Sequence, residues 1–418
     1  MKNILFIEFY YILPNNSIMV LNNGFSPCYN LCNNIISIEI RLDDLDYTLN
    51  LLRKALTLEK FDMVYVSSFY LWHTIFVYKI ASEFPNINFI VGGPDASSSK
   101  VNTKLLFEQD NFKLTSEPLR SIFPEIYHER KWGLNFPKLE SNIKNIEFSM
   151  CNSRRTCSWG KCKFCTSNSK FPRINSGDDP IINFIENIPT ELRETKQLLI
   201  HTQFPDITFK ELRELTPIFN YDIRINYCSA LRAVKIDRLK KFKDVLVEIL
   251  NPNRISFQIG IEFLSNRMLE YMNKGLTVDD YVGTITLLQE LNFSINLNII
   301  LGWNNLTFND VKEFNNALEK FDSSKVRIVL GRFYATNETK PYFEKDIIEC
   351  EEEDRGKLIF NRYYFKLSDK KQISFNNLIE KICKNKFEVL NYNNNILLSK
   401  AVLCIDKLYK DANLTFKT

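Results

Sequence analysis

From residue 145 onward the chain repeats one pattern: a short apolar strand, a helix-spaced segment, then another strand. The strand candidates are "NIEFSM", "QLLIHTQ", "DIRINYCSA", "RISFQIGIE", "SINLNIILGW" and "KVRIVLGRF". Most are separated by segments whose apolar residues recur every three or four positions, among them "TFKELRELTPIF", "NRMLEYMNKG", "TVDDYVGTITLLQEL" and "TFNDVKEFNNALEKF". Parallel strands need a crossover between them, and a helix is the usual one. The alternation therefore predicts a parallel sheet with helices packed on it. About six units fit a partial (β/α)6 barrel, and chemistry in barrels gathers at the carboxyl ends of the strands.

The barrel-like region has neighbours on both sides. Residues 1–98 supply the strands "NILFIEF", "DMVYVSSF" and "NINFIVGGP" and the helices "LDDLDYTLNLLRKALTLEKF" and "HTIFVYKIASEF". They predict a Rossmann-like parallel-sheet unit. Residues 99–140 are less regular, with Pro118, Pro124 and Pro137, and read as its end and a linker. Gly92 and Gly93 fall at the carboxyl end of a strand, where such sheets bind ligands, or else form a turn that needs glycine. Past Pro341, "KLIFNRYYFKL" alternates, "SFNNLIEKICKNKF" is helical and "NYNNN" is a polar turn. The expected α/β architecture thus has three parts: 1–140 as the first domain and linker, 141–340 as a TIM-like partial barrel, and 341–418 as a small α+β extension that completes or covers the barrel mouth.

A chain of 418 residues exceeds what one core usually absorbs, which agrees with several domains. The net charge of +4 is small and argues neither for nor against nucleic acid, but no terminal basic domain or aromatic–basic stripe is visible, so no nucleic-acid partner is expected. The acidic run Glu351–Asp354 reads as solvated surface. Near the N-terminus Glu8 interrupts the apolar run and no cleavage site follows, so a buried strand is the better reading than a signal peptide. No apolar stretch is long enough to span a bilayer. A cytoplasmic protein with no membrane partner is expected. Ten cysteines in so long a chain are too sparse for a disulfide scaffold, so reduced thiols, some of them metal ligands, are expected.

Three of those cysteines crowd into "TCSWGKCKFC" directly after the first barrel strand. Cys157, Cys162 and Cys165 have the spacing C-x4-C-x2-C. Thiolates suit zinc and iron–sulfur chemistry alike. A structural zinc site wants four ligands, and Cys151 is the nearby candidate for a fourth. Three thiolates on an iron–sulfur cluster would instead leave one iron open to a substrate or cofactor. Residue type alone leaves both readings open.

The segment resembles the cluster loop of the radical S-adenosylmethionine superfamily, whose usual form is C-x3-C-x-aromatic-C. Phe164 stands at the aromatic position, and the first gap is one residue longer. The resemblance implies that Cys157, Cys162 and Cys165 hold a [4Fe–4S] cluster that cleaves S-adenosylmethionine to a 5′-deoxyadenosyl radical, fed by an external electron donor such as flavodoxin or ferredoxin. "FQIGIEFLSNRMLEYMNKGLT" is similar to a segment of the cobalamin-domain branch that reads roughly G-I-E-S-L-S…L…M-x-K-G. It implies that Glu262 helps bind S-adenosylmethionine. "LNIILGWNN" looks like a strand ending in a G-x-P turn near the adenosine, with Gly302 kept and Trp303-Asn304 in place of the residue-proline pair. "GRFYATNETKPYF" resembles a segment of radical enzymes that mature ribosomally made peptides (RiPPs). Arg332 matches its arginine, and this likeness names a peptide substrate. "DMVYVSSF" and "FIVGGPDAS" resemble the cobalamin (B12)-binding domain, which implies Ser67, Gly92 and Gly93 as contacts for cobalamin. The D-x-H-x-x-G element of that domain cannot be drawn here, because the histidines are His73, His128 and His201.

Methylation, epimerisation and crosslinking all remain open as outcomes. The alternatives are a zinc-stabilised binding protein and a radical modifier of RNA or of a small molecule. Cys228 reads either as an inert buried thiol or as a hydrogen-atom donor to a substrate radical. Asp206, after the second barrel strand, is either a helix N-cap or a cofactor contact. His201 reads as a satisfied core histidine. Cys28 and Cys32 would share a helix face, while Cys350, Cys383 and Cys404 read as structural.

Overall fold

Two hydrophobic cores, one on each half of the chain, are joined by a single sheet. The computed structural model describes residues 3–12, 17–21, 35–41, 44–68, 71–92, 109–115, 117, 122, 143–150, 157, 159–165, 190–202, 213, 225–248, 252–333, 335, 339–343, 347–349, 363–365, 367 and 369–390. The first half contains β1 (Ile4–Ile12), β2 (Ser17–Leu21), β3 (Ile35–Ile40), α1 (Leu45–Leu58), β4 (Met63–Ser67), α2 (Leu71–Ala81), β5 (Asn88–Gly92) and β6 (Phe112–Leu114). Leu45, Leu49, Leu52 and Leu56 recur at helical spacing along α1, and the Asp44 side chain caps it by accepting from the Tyr47 amide. They meet Leu5, Ile7 and Phe9 of β1, Val64 and Val66 of β4, and Ile75, Phe76 and Ile80 of α2. Each such side chain contributes about 1.5–3 kcal/mol by leaving water. With β2 set aside, the order β3-β1-β4-β5-β6 is all parallel and doubly wound, the first two strands exchanged.

The second half contains β7 (Asn145–Met150), α3 (Thr190–Thr195), β8 (Gln197–Thr202), β9 (Ile225–Ala230), α4 (Leu239–Val247), β10 (Ile255–Glu262), α5 (Asn266–Tyr271), α6 (Val278–Glu290), β11 (Ser294–Leu301), α7 (Phe308–Leu318) and β12 (Val326–Arg332). β13 (Ile347–Glu349), β14 (Tyr363–Phe365), α8 (Lys370–Lys386) and β15 (Glu388–Val389) follow. Strands β7 to β12 pair in parallel in chain order, as the repeat predicts. Both α6 and α7 open on a Thr-x-x-Asp capping box, Thr277 with Asp280 and Thr307 with Asp310. Of the expected helices, "TFKELRELTPIF" lies almost wholly outside the described residues.

Burial alternates along these strands. In β10, Ile255, Phe257, Ile259 and Ile261 join the core, while Ser256, Gln258, Gly260 and Glu262 are only half-buried on the other face. Ile295, Leu297 and Ile299 of β11 do the same against Asn296 and Asn298. The helices cover the apolar face, and the opposite face is polar.

Five strands were not expected: β2, β3, β6, β13 and β15. β2 runs antiparallel to β1 and parallel to β7, so it joins the halves into one sheet of 13 strands. The described part of the C-terminal segment joins the second core. Phe343, Phe365, Ile379, Cys383 and Phe387 are buried in it, and the Phe365 ring stacks 4.4 Å from Phe333. The expected alternating strand in "KLIFNRYYFKL" appears as β14, paired with β13. Among the described residues no helix is long and apolar enough to cross a membrane.

Candidate functional site

The cysteine loop sits on the segment that ends α5. Asn273 and Gly275 there have left-handed backbones, with φ of 56° and 67°. That conformation turns the backbone of Met272–Gly275 toward the loop. The Lys163 amide donates to the Met272 carbonyl at 3.0 Å, and the Asn273 side-chain amide donates to the Lys161 carbonyl at 2.8 Å. Trp159 is the wedge. Its indole N–H donates to the Asn273 carbonyl at 2.7 Å, and its ring lies flush on Gly275, where a Cβ would come within 2.2 Å of it. The longer gap between Cys157 and Cys162 holds this tryptophan, followed by Gly160 at φ 60°. A short turn from the Cys165 amide to the Cys162 carbonyl, 3.2 Å, closes the loop.

Beneath the loop lies a buried set of charges at the end of β10. Lys274, 7% exposed, donates from Nζ to the Gly260 carbonyl at 2.7 Å and lies 3.4 Å from the Glu262 carboxylate. Its ammonium is 5.5 Å from the Phe164 ring centre. Glu262 has a φ of 59°, a conformation that costs a non-glycine residue about 1–3 kcal/mol, next to a register shift against β11. Gly260 makes this fold-back feasible, since a Cβ there would be 2.5 Å from Glu262 Oε1. The Arg232 guanidinium donates to the Lys274 carbonyl at 2.5 Å and stands 4.9 Å above the Trp159 ring. Burial works against the charge on Lys274, but Tyr281, Glu262 and Cys162 more than offset it and raise its pKa.

This loop carries the thiols of Cys157, Cys162 and Cys165. Burial pushes the Cys162 thiol up to about 11, and the nearby Lys274 and Arg232 only partly counter that. Cys165 and Cys157 are close enough to raise it further. Among the described residues no three His, Cys, Asp or Glu side chains are drawn together tightly enough to grip a metal ion. Metal binding to such thiols releases their protons and spends part of its energy on ordering the ligands. In donor chemistry the trio fits an iron–sulfur cluster: three thiols on one short loop, seated beside two cations that offset thiolate charge.

The turn after β11 follows the strand that neighbours β10. Gly302 has φ 94°, and Trp303 behind it is fully buried, its indole N–H donating to the Ile300 carbonyl at 2.8 Å. Asn376 of α8 accepts from the amides of Gly302 at 2.7 Å and Trp303 at 3.2 Å, and donates to the Trp303 carbonyl at 2.7 Å. Arg332 pairs in register with Leu301, and its Cγ lies 3.4 Å from where a Cβ on Gly302 would be.

On the polar face of the sheet, Gln258 donates to Asn298 at 3.1 Å, and His201 Nε2 lies 3.9 Å from Glu147. The expected core histidine is therefore corrected. His201 stands on the polar face, its side chain 30% exposed, because its strand neighbours Leu198 and Ile200 take the core positions. Burial lowers its pKa to about 4 and raises that of Glu147. Cys228 is in register with His201 and Ser256. In the first half, Ser67 and Gly92 are buried at adjacent strand ends. Gly92 does not need glycine for its backbone angles. It needs it for Tyr65, whose hydroxyl a Cβ would meet at 2.1 Å. His73 is fully buried, hydrogen-bonded to Tyr11. Gly93, Asp206, Cys151, Cys28, Cys32, Cys350, Cys404 and His128 lie outside the described residues.

No family model matches the sequence, and no curated protein matches it. Solved structures do. The radical S-adenosylmethionine methyltransferase TsrM from Kitasatospora setae, with cobalamin and a [4Fe–4S] cluster bound, superposes with a TM-score of 0.62 at 12% identity, covering 99% of each chain. The cobalamin-dependent S-adenosylmethionine radical enzyme OxsB, with aqua-cobalamin and S-adenosylmethionine bound, gives a TM-score of 0.65 at 12% identity over 91% of this chain. This chain spans 66% of OxsB. The fold is theirs. At this identity the likeness is one of architecture, and no residue role passes with it.

Sequence patterns bring together Phe164, Glu262, Lys274 and the cysteines, and the structure does the same. Three further parts were not read from the sequence: Arg232, the docking role of Trp159, and Asn376. Each acts across a long stretch of chain, 114 residues between Trp159 and Asn273 for example. The extra residue in the cysteine spacing was the one hint to Trp159.

Proposed function

We propose that this chain is a radical S-adenosylmethionine enzyme. The observation that carries the reading is a loop of three cysteines locked by Trp159 onto Met272–Gly275, directly against the Lys274–Glu262 pair at the carboxyl end of β10. The fold shared with two radical enzymes supports it. Cys157, Cys162 and Cys165 hold a [4Fe–4S] cluster, with Phe164 packed beside it. When bound, the cluster supplies the electron that splits S-adenosylmethionine into methionine and a 5′-deoxyadenosyl radical. Glu262, the Gly302 turn and Asp206 contact S-adenosylmethionine. Lys274 and Arg232 balance charge around the thiolates, and the polar row of Glu147, His201, Gln258 and Asn298 faces the substrate, with Cys228 in the adjoining register.

Residues 1–140 then form a cobalamin-binding-like domain and linker, 141–340 the radical barrel and 341–418 its extension. Ser67, Gly92 and Gly93 are the cobalamin contacts. A methyltransferase follows if cobalamin is held, and an epimerase or crosslinking enzyme if it is not. The substrate is a ribosomally made peptide, approached by Arg332, and the electron comes from a flavodoxin or ferredoxin in the cytoplasm.

Anaerobic reconstitution tests the core of this. Four irons per chain, and 5′-deoxyadenosine after reduction with S-adenosylmethionine, are expected. Replacing Cys162 by alanine should abolish both. A colourless protein that keeps one zinc, or a Cys162→Ala variant with unchanged iron, would overturn it.

A further inference from the structure

We propose that helix α8 completes the S-adenosylmethionine site by fixing the Gly302–Leu306 turn, with Asn376 and Gln372 as its positioning residues. The inference rests on the radical S-adenosylmethionine reading and adds a part of the site that no motif marks.

The hydrogen bonding of Asn376 is complete, and all of it goes to the Gly302-Trp303 turn and to its own helix. Its carbonyl oxygen takes the amides of Gly302 and Trp303, and its amide nitrogen gives to the Trp303 carbonyl and the Gln372 carbonyl, at 2.7 and 2.9 Å. An asparagine side chain has one acceptor oxygen and two donor hydrogens, so every donor hydrogen is spent. Gln372 lies one helical turn earlier on the same face and repeats the device. It accepts from the Leu306 amide and donates to the Leu306 carbonyl, both at 2.9 Å. Two side chains thus clamp both ends of one turn.

That turn needs an outside clamp. Gly302 at φ 94° is free to take many conformations, and Trp303-Asn304 provides no proline ring to restrict them. The clamp itself stands on a rigid base, because Asn376 is 6% exposed and Ile379 and Cys383 on the same helix are fully buried in the main core. The turn is also in the right place. It follows β11, whose Ile299 pairs with Glu262 across the sheet, so the clamp and the charged pair stand at the carboxyl ends of adjacent strands. A turn held in one shape before the ligand arrives spares the ligand the cost of ordering it.

The test is equilibrium dialysis of S-adenosylmethionine against the anaerobically reconstituted full chain. Asn376→Ala should weaken binding at least tenfold and raise KM for S-adenosylmethionine, with iron per chain unchanged. Asn376→Asp keeps the acceptor and should fall between. Ile379→Ala is the control, since it destabilises the same helix from its core side without touching the turn. It should lower the melting temperature and leave affinity alone. If Asn376→Ala does not fold, Asn376→Asp and Gln372→Ala carry the comparison. Equal affinity losses in the clamp and Ile379 variants would overturn the proposal. A wild-type chain that takes up four irons but binds no S-adenosylmethionine would sink the functional reading and this inference with it.

Discussion

At position 275 a methyl group would lie 2.2 Å from the Trp159 ring, on a backbone whose φ is already +67°. Gly275→Ala therefore combines backbone strain with a clash against a ring that cannot move far. A loss of about 2–4 kcal/mol is expected, together with reduced iron uptake on reconstitution. Gly331→Ala is the contrast. Its Cβ would meet nothing nearer than 3.8 Å, and both quantities should stay close to wild type. Thermal melting with iron analysis on the two variants decides the matter. At this scale the sequence was legible where chemistry repeats a pattern, as in the cysteines, Glu262 and Lys274-Gly275. It was silent where a contact depends on shape, as at Trp159 against Gly275 or Tyr65 against Gly92.

Among the elements, the start of α7 is the most heavily tied. Asp310 is 2% exposed and accepts from Ser265 at 2.5 Å, from the Thr307 amide at 2.7 Å and from the Arg267 guanidinium at 2.5 Å. Burial alone would raise its pKa, but these donors hold it below the ordinary value of 3.8. The sign follows from linkage. The unfolded chain takes up this proton at higher pH than the folded one. The stabilisation is therefore full above pH 3.8 and drains away as pH falls through the lower folded value. Asp310→Asn should cost about 2–4 kcal/mol at neutral pH. The gap to wild type should narrow below pH 4, in urea melts run across that range, and a constant gap would count against it. Long elements with caps and clear periodicity, such as α6, α7, β10 and β11, were readable in advance. β2, β3 and β6 were not. They are three to six residues long, and their identity as strands depends on partners distant in sequence.

For the whole molecule the seam between β2 and β7 matters most. Five residue pairs, from Ser17–Asn145 to Leu21–Ser149, join the first half to the second. A fragment beginning at residue 141 would leave the β7 edge open, and an open edge of this kind pairs with other chains. Such a fragment should elute as aggregate in size-exclusion chromatography, and the full chain should not. A well-behaved monomeric fragment would show the seam to be dispensable. The β/α repeat made the second half legible as a parallel sheet, but a repeat contains no information on what borders its first strand.

The grip of Asn376 on Gly302 also has a consequence for synthesis, because 74 residues separate the two. At about 5–20 residues per second, the ribosome delivers the helix roughly 4–15 s after the turn it holds. During that interval the thiols have already emerged while the Gly302 turn still lacks its clamp. On the proposed reading, cofactor insertion belongs after translation has passed α8, and a nascent chain stalled before that point would present unguarded sulfur to whatever oxidant is near.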